Sequence, residues 1–175
     1  MKTPHLIILA GLPGVGKSRI AEAVARELGI PVFAKDWLEA MLRRCKLQPT
    51  DEGSSLGFAG YELLTTLAER QLRLGQSVIL DSVASTLSIR AEWHTLAQAY
   101  HAVWRVIECV CSDETAHRAR LDTRQRNIPA WHELDWAEVE RVQAYYAPWD
   151  EDRSILDAVW PLEENVAVAL RYLRG

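Results

Sequence analysis

This sequence predicts a three-layer α/β fold, a mostly parallel sheet with helices on both faces. Three observations point to it. Short apolar runs alternate with segments of helical spacing along the whole chain. The first run, Leu6-Ile7-Ile8-Leu9-Ala10, is apolar at every position, as a strand buried on both faces must be. That run leads into Gly11-Leu12-Pro13-Gly14-Val15-Gly16-Lys17-Ser18, a glycine-rich turn followed at once by a helical pattern.

The first helix spans Ser18 to Leu28, with Ile20, Ala21, Val24, Ala25 and Leu28 on one face and Gly29 placed to end it. Pro31 to Ala34 reads as a second strand. From Asp36 the spacing of Leu38, Met41, Leu42 and Cys45 is helical again. Lys46 to Gly57 is polar and turn-rich, a loop long enough to help cover a substrate. A helix follows over Tyr61 to Leu74, stopped by Gly75. Ser77 to Ser82 is a third strand whose apolar run ends in Asp81. A helix over Ile89 to Tyr100 precedes a fourth strand, Val103 to Cys111. Thr115 to Arg126 reads as a basic helix. Asp135-Trp136-Ala137-Glu138 has the spacing of a capping box, so another helix starts there and runs to about Tyr146. Ile155 to Val159 is a fifth strand and Glu163 to Leu173 a closing helix.

No repeat, low-complexity tract or linker interrupts this alternation, and 175 residues suit one domain with a sizeable core. A hydrophobic fraction of 49% with 25% charged residues belongs to a soluble globular protein. A net charge of -4 argues against a broad nucleic-acid groove. No stretch approaches the roughly 20 apolar residues of a membrane helix, and the apolar run near the N-terminus is too short for a signal peptide. Cys45, Cys109 and Cys111 match neither a disulfide framework nor a zinc site. They read as reduced and buried, which fits a cytoplasmic protein.

The chemistry begins at Gly11 to Ser18, which matches G-x-x-x-x-G-K-[ST] between a strand and a helix. Glycines let the backbone approach phosphate closely, and the free N–H groups of the turn and of the helix N-terminus face the anion. Lys17 is expected to reach the terminal phosphates of a nucleoside triphosphate, and the Ser18 hydroxyl to ligate magnesium. Asp81, at the carboxyl edge of a parallel sheet, is a second candidate for that metal or its water shell; it would serve equally as a cap for the next turn. Asp36, at the same edge, is placed to accept a proton from an attacking hydroxyl, and Asp also favours helix N-caps. Lys35 and Arg43 lie nearby as basic candidates for an anionic substrate and read first as solvated surface residues.

Arg118, Arg120, Arg124 and Arg126 form a cluster. Arg120 and Arg124 share a helical face, from which guanidinium groups can stabilise a transferring phosphoryl group. A solvated basic helix paired with Asp113 and Asp122 is the plain alternative. None of the five histidines shows ligand spacing, and Trp131 and Trp136 read as packing residues. No Asn-Lys-x-Asp run of the kind that reads guanine is present, which leans the base toward adenine.

Together these residues resemble the small P-loop kinases of the AAA-type ATP-binding group, among them the kinase domain of polynucleotide kinase, chloramphenicol phosphotransferase, gluconate kinase and shikimate kinase. The resemblance implies a P-loop NTPase fold with strand order 2-3-1-4-5 and a lid at about residues 113–134. It implies that Asp36 contacts or deprotonates the acceptor, that Asp81 serves the metal, and that Arg120-Leu121-Asp122-Thr123-Arg124 is the lid's R-L-x-x-R pattern. The sequence departs from polynucleotide kinases at Asp81-Ser82-Val83-Ala84, where they carry an Asp-Thr-Asn-type run.

The expectation is a single-domain ATP- and Mg2+-dependent phosphotransferase acting on a hydroxyl of a small-molecule acceptor. Lys17, Asp36, Arg120 and Arg124 would be catalytic. Gly11 to Ser18 with Arg120 would bind nucleotide, and Ser18 and Asp81 would hold magnesium. A regulatory ATP-binding protein and a zeta-toxin-like nucleotide-sugar kinase stand as alternatives.

Overall fold

The structure, a computed structural model, describes residues 3–48 and 55–175. Five strands form one parallel sheet: β1 (His5–Ala10), β2 (Val32–Ala34), β3 (Val78–Asp81), β4 (Val103–Val110) and β5 (Ser154–Asp157). Their order is β2-β3-β1-β4-β5, the order that the resemblance implies. Among the described residues seven helices surround it: α1 (Lys17–Leu28), α2 (Lys35–Arg44), α3 (Leu56–Arg73), α4 (Leu87–Ala99), α5 (Glu114–Thr123), α6 (Trp136–Gln143) and α7 (Leu162–Arg174).

The unbroken apolar run of β1 is explained by its place. Successive side chains of a strand point to opposite faces. Leu6, Ile8 and Ala10 join a core with Leu64, Ala68 and Trp93 of α3 and α4. Ile7 and Leu9 join a second core with Ile20, Val24, Ala169 and Leu173 of α1 and α7. Both faces are covered, so no position of β1 past His5 tolerates a polar residue. Trp93 is fully buried, and its indole nitrogen donates to Thr65 Oγ1 at 2.9 Å. Truncating so large a side chain to alanine costs about 3–5 kcal/mol.

A buried arginine ties the sheet's upper edge together. Arg90, 3% exposed, donates to the carbonyls of Ala84, Pro148 and Ala147, each at 2.7 Å. Its guanidinium stacks 3.7 Å from the Trp149 ring centre. The turn after β3 and the segment after α6 are thereby fixed to one another.

Helix ends follow local chemistry. Gly29, with φ 64, closes α1, and its N–H donates to the Ala25 carbonyl. The Asp135 side chain accepts from the Glu138 N–H at 3.0 Å, as the capping-box spacing predicts. Several expectations need correction. Helix α3 starts at Leu56 rather than Tyr61, because Ser55 caps it by accepting from the Phe58 N–H at 3.0 Å. The polar loop is shortened accordingly, and its residues 49–54 lie outside the described residues. Helix α5 ends at Thr123, and Arg124 is extended with φ -71 and ψ 131, so Arg120 and Arg124 do not share a helical face. Cys109 is buried as expected, whereas Cys45 is exposed and Cys111 half-buried. Among the described residues, no helix is long and apolar enough to cross a membrane.

Candidate functional site

The sheet register gathers the candidate carboxylates. Asp81 ends β3 and lies opposite Leu9 of β1 on one side and Ala34 of β2 on the other. The chain beyond Leu9 is the glycine-rich turn, and the chain beyond Ala34 is the first turn of α2, where Asp36 sits. The cap of α2 is Ala34, not Asp36, so the N-cap alternative for Asp36 falls.

Two glycines of the turn are fixed for different reasons. Gly11 has φ 129, and a Cβ there would overlap the Cys109 carbonyl oxygen of β4. Gly16 has open space around it, but it is the N-cap of α1 at φ 89, a conformation side chains rarely adopt. No side chain caps α1, so its first N–H groups remain available to an anion.

Lys17 folds back over the turn, donating to the carbonyls of Gly11 at 2.9 Å and Leu12 at 2.7 Å. Burial pushes its pKa down to about 8, against the opposing pull of Asp81. Burial raises the pKa of Asp81, which the Lys17 charge and the nearby Ser18 hydroxyl oppose. Both groups are buried beside the turn, and each favours the charged form of the other.

Three arginines face them. Arg120 donates through Nη2 to the Ala158 carbonyl, just past β5. Arg124 reaches Glu133 at 3.7 Å, and among the described residues its buried Nε and Nη2 have no hydrogen-bond partner. A buried guanidinium without acceptors is one that an anion can satisfy. Arg126 donates through Nη1 to the Asp36 carboxylate and through Nη2 to Ser18 Oγ at 3.1 Å. Lys17, Ser18, Asp36, Asp81, Arg124 and Arg126 all line one cavity of about 880 Å³, which Arg120 also borders. Its mouth carries two indoles, Trp37 at 50% and Trp160 at 61% exposure.

Among the described residues, no three His, Cys, Asp or Glu side chains cluster as a metal cage. Magnesium does not require one; it takes one or two protein oxygens and completes its octahedron with phosphate and water. Ser18 and Asp81, bordering the cavity at the phosphate turn, fit that pattern.

Sequence reasoning passed over three residues here. Arg126 is the one that bridges turn and α2. Its signal is spacing: in an extended segment, residues two apart face the same side, so Arg124 and Arg126 point inward together once α5 ends. His117, given no role, is buried, with Nε2 2.7 Å from the Pro13 carbonyl. Glu39 is buried between Lys35 and Arg43, each at 2.7 Å, so Lys35 is not the solvated surface residue it resembles. Arg118 pairs with Glu114 at 2.9 Å and stacks 4.1 Å from the Trp136 ring centre, away from the cavity.

The parallel sheet with its phosphate turn after β1 defines a P-loop NTPase fold, and solved kinases share it. A sugar kinase from Janibacter sp. superposes with a TM-score of 0.72 at 19% identity, covering 98% of this chain and 95% of that one. An APS kinase from Mycobacterium tuberculosis, solved with AMPPNP and APS, superposes at 0.71 with 19% identity over the full length of both chains. The chain belongs to the AAA domain family, whose sequence model matches residues 6–149. A UPF0200 protein of Aeropyrum pernix is 34% identical over 157 residues, 82% of this chain and 79% of its own. A Mycobacterium tuberculosis protein is 31% identical over 184 residues, 99% of this chain but only 35% of that protein, so the chain spans about a third of this relative's length.

Proposed function

We propose that this chain is an ATP- and magnesium-dependent phosphotransferase that phosphorylates a hydroxyl group of a small molecule. One observation carries the reading: the phosphate turn and the Asp36 carboxylate open onto the same cavity. A hydrolase needs only water at the terminal phosphate. A carboxylate on the neighbouring β2–α2 junction offers a place for a second substrate.

In this reading the N–H groups of the turn and Lys17 bind the triphosphate. Arg124, whose buried nitrogens lack acceptors, stabilises charge on the moving phosphoryl group. Arg120, which borders the same cavity, is the second arginine for nucleotide and phosphoryl charge. Magnesium, held by Ser18 with Asp81, would neutralise phosphate charge and orient the terminal group. Asp36 takes the proton of the acceptor hydroxyl as that oxygen bonds to the terminal phosphorus, and ADP leaves with the electrons of the broken P–O bond. The segment after α5 already lies over α2, with Trp131 under the Arg43 guanidinium at 5.9 Å, and excludes water from the reacting atoms. The single domain lies in the cytoplasm, where its exposed Cys45 stays reduced.

The test is Asp36→Asn, assayed with ATP against sugars, polyols, nucleosides and aminoglycosides. The variant should bind ATP like the wild type and lose transfer to whichever acceptor the wild type uses. Near wild-type transfer by the variant would remove Asp36 from the role of base. A second reading, an ATP-binding regulator, gains from one contact: Asp36 is engaged by Arg126. Tight ATP binding with no transfer across the whole panel would favour it.

A further inference from the structure

One guanidinium joins the two halves of the cavity. Arg126 gives one nitrogen to Asp36 on the acceptor side and another to the Ser18 hydroxyl, 3.1 Å away, in the phosphate turn. Its side chain is 12% exposed and that of Asp36 28%, so the pair is largely withdrawn from water. The segment that carries Arg126 has left α5, and Asn127, at φ 53, turns the chain just beyond it. Such a segment can move without unwinding a helix.

The Ser18 hydroxyl oxygen has two lone pairs, and one is occupied by Arg126. A divalent cation ligated by that oxygen would approach the same side chain. Two cations a few ångströms apart repel. The arrangement seen here and a metal-bound Ser18 therefore compete.

We propose that Arg126 is a cationic placeholder: it holds Ser18 and Asp36 together and gives up both when a magnesium–nucleotide enters. Asp36 is then released to an acceptor only after nucleotide has bound. The kinase becomes ordered, nucleotide first, and the base is masked while no phosphoryl group is present to transfer. This rests on the phosphotransferase reading above and assigns Arg126 as a positioning residue for Asp36.

The test needs no acceptor. A non-hydrolysable ATP analogue is titrated calorimetrically, with magnesium, into the wild type, Arg126→Gln and Arg126→Lys. Removing the charge should tighten magnesium–nucleotide binding about fivefold, a modest gain because the phosphates' negative charge offsets part of the repulsion between the two cations. The lysine variant, which keeps the charge, should stay within about twofold of wild type. Unchanged or weaker binding by Arg126→Gln would overturn the proposal, since a simple phosphate ligand loses affinity when its charge is removed. Equal tightening by Arg126→Lys would overturn it too, by making shape rather than charge the cause. A wild type that binds no magnesium–nucleotide would instead remove the phosphotransferase reading itself.

Discussion

His117 Nε2 lies 2.7 Å from the Pro13 carbonyl oxygen, so the proton on that nitrogen ties α5 to the phosphate turn. The ring packs edge-on to Trp136 at 5.1 Å and fills the space over Gly14, where a Cβ would come within 3.0 Å of it. Replacing His117 with alanine leaves the Pro13 carbonyl without a partner and opens a gap against the turn. The expected cost is about 1–3 kcal/mol of stability, together with weaker nucleotide binding. Urea unfolding and nucleotide titration of the same variant measure the two effects.

The same histidine gives a pH dependence. Burial lowers its pKa, an effect the charges of Lys17 and Arg120 reinforce and the Pro13 hydrogen bond opposes. The unfolded chain therefore binds a proton near pH 6.5 that the folded protein resists. Stability contributed by the neutral ring is present above that pH and falls as pH drops below it, until the folded pKa is passed. His5 is shifted in the same direction by burial, so some slope remains in any His117 variant. His117→Gln, which keeps a donor near the Nε2 position, should show a shallower loss of stability between pH 7 and pH 5 than wild type. Identical slopes would mean that the ring is as readily protonated folded as unfolded.

Arg124 is expected to act on the transition state more than on binding, because its buried Nη2 has no hydrogen-bond partner among the described residues. In Arg124→Ala, transfer to the acceptor should fall about 100-fold or more, with nucleotide affinity changed only a few-fold. Single-turnover assays beside equilibrium titration separate the two. Equal losses in both would make Arg124 a ground-state ligand.

Glu39 is the structural counterweight of the acceptor side. Burial alone would raise its pKa, but Lys35 and Arg43 together hold it below the ordinary carboxylate value. The Glu39 side chain is 8% exposed and that of Lys35 14%. Glu39→Gln strands the Lys35 ammonium without its counter-charge and should cost about 3 kcal/mol. Chemical denaturation checks this, and the variant should also lose the acid-side fall in stability that the wild-type carboxylate contributes as pH drops through its depressed pKa.

The five strands and the phosphate turn were legible because each rests on local patterning: runs apolar on both faces, and glycines where the backbone must turn; the strand order followed only from the family resemblance. Glu138, three residues after Asp135, marked the start of α6 for the same reason. The active arrangement of arginines was less legible. Taking Thr115 to Arg126 as one helix pairs Arg120 with Arg124 and leaves Arg126 aside, but the helix stops at Thr123 and the pairing becomes Arg124 with Arg126. No strong stop signal stands there; Pro129 comes six residues later. His117 was hidden because its partner Pro13 becomes a neighbour only through tertiary packing, whereas Lys35, Glu39 and Arg43 stand at i, i+4 spacing on α2 and it is their burial that spacing does not reveal. Periodicity marks a face as buried without saying that a polar residue on it has found a partner.

The two exposed indoles at the cavity mouth stand over opposite edges of the sheet, Trp37 after β2 and Trp160 after β5. In the proposed phosphotransferase reading, one fluorophore then stands at the nucleotide end and another at the acceptor end. With either replaced by phenylalanine, the remaining mouth indole becomes a reporter against the steadier emission of buried rings such as Trp93 and Trp149. Nucleotide should alter the Trp160 signal and acceptor the Trp37 signal. An unknown acceptor could then be sought by the light it quenches, before any phosphate has moved.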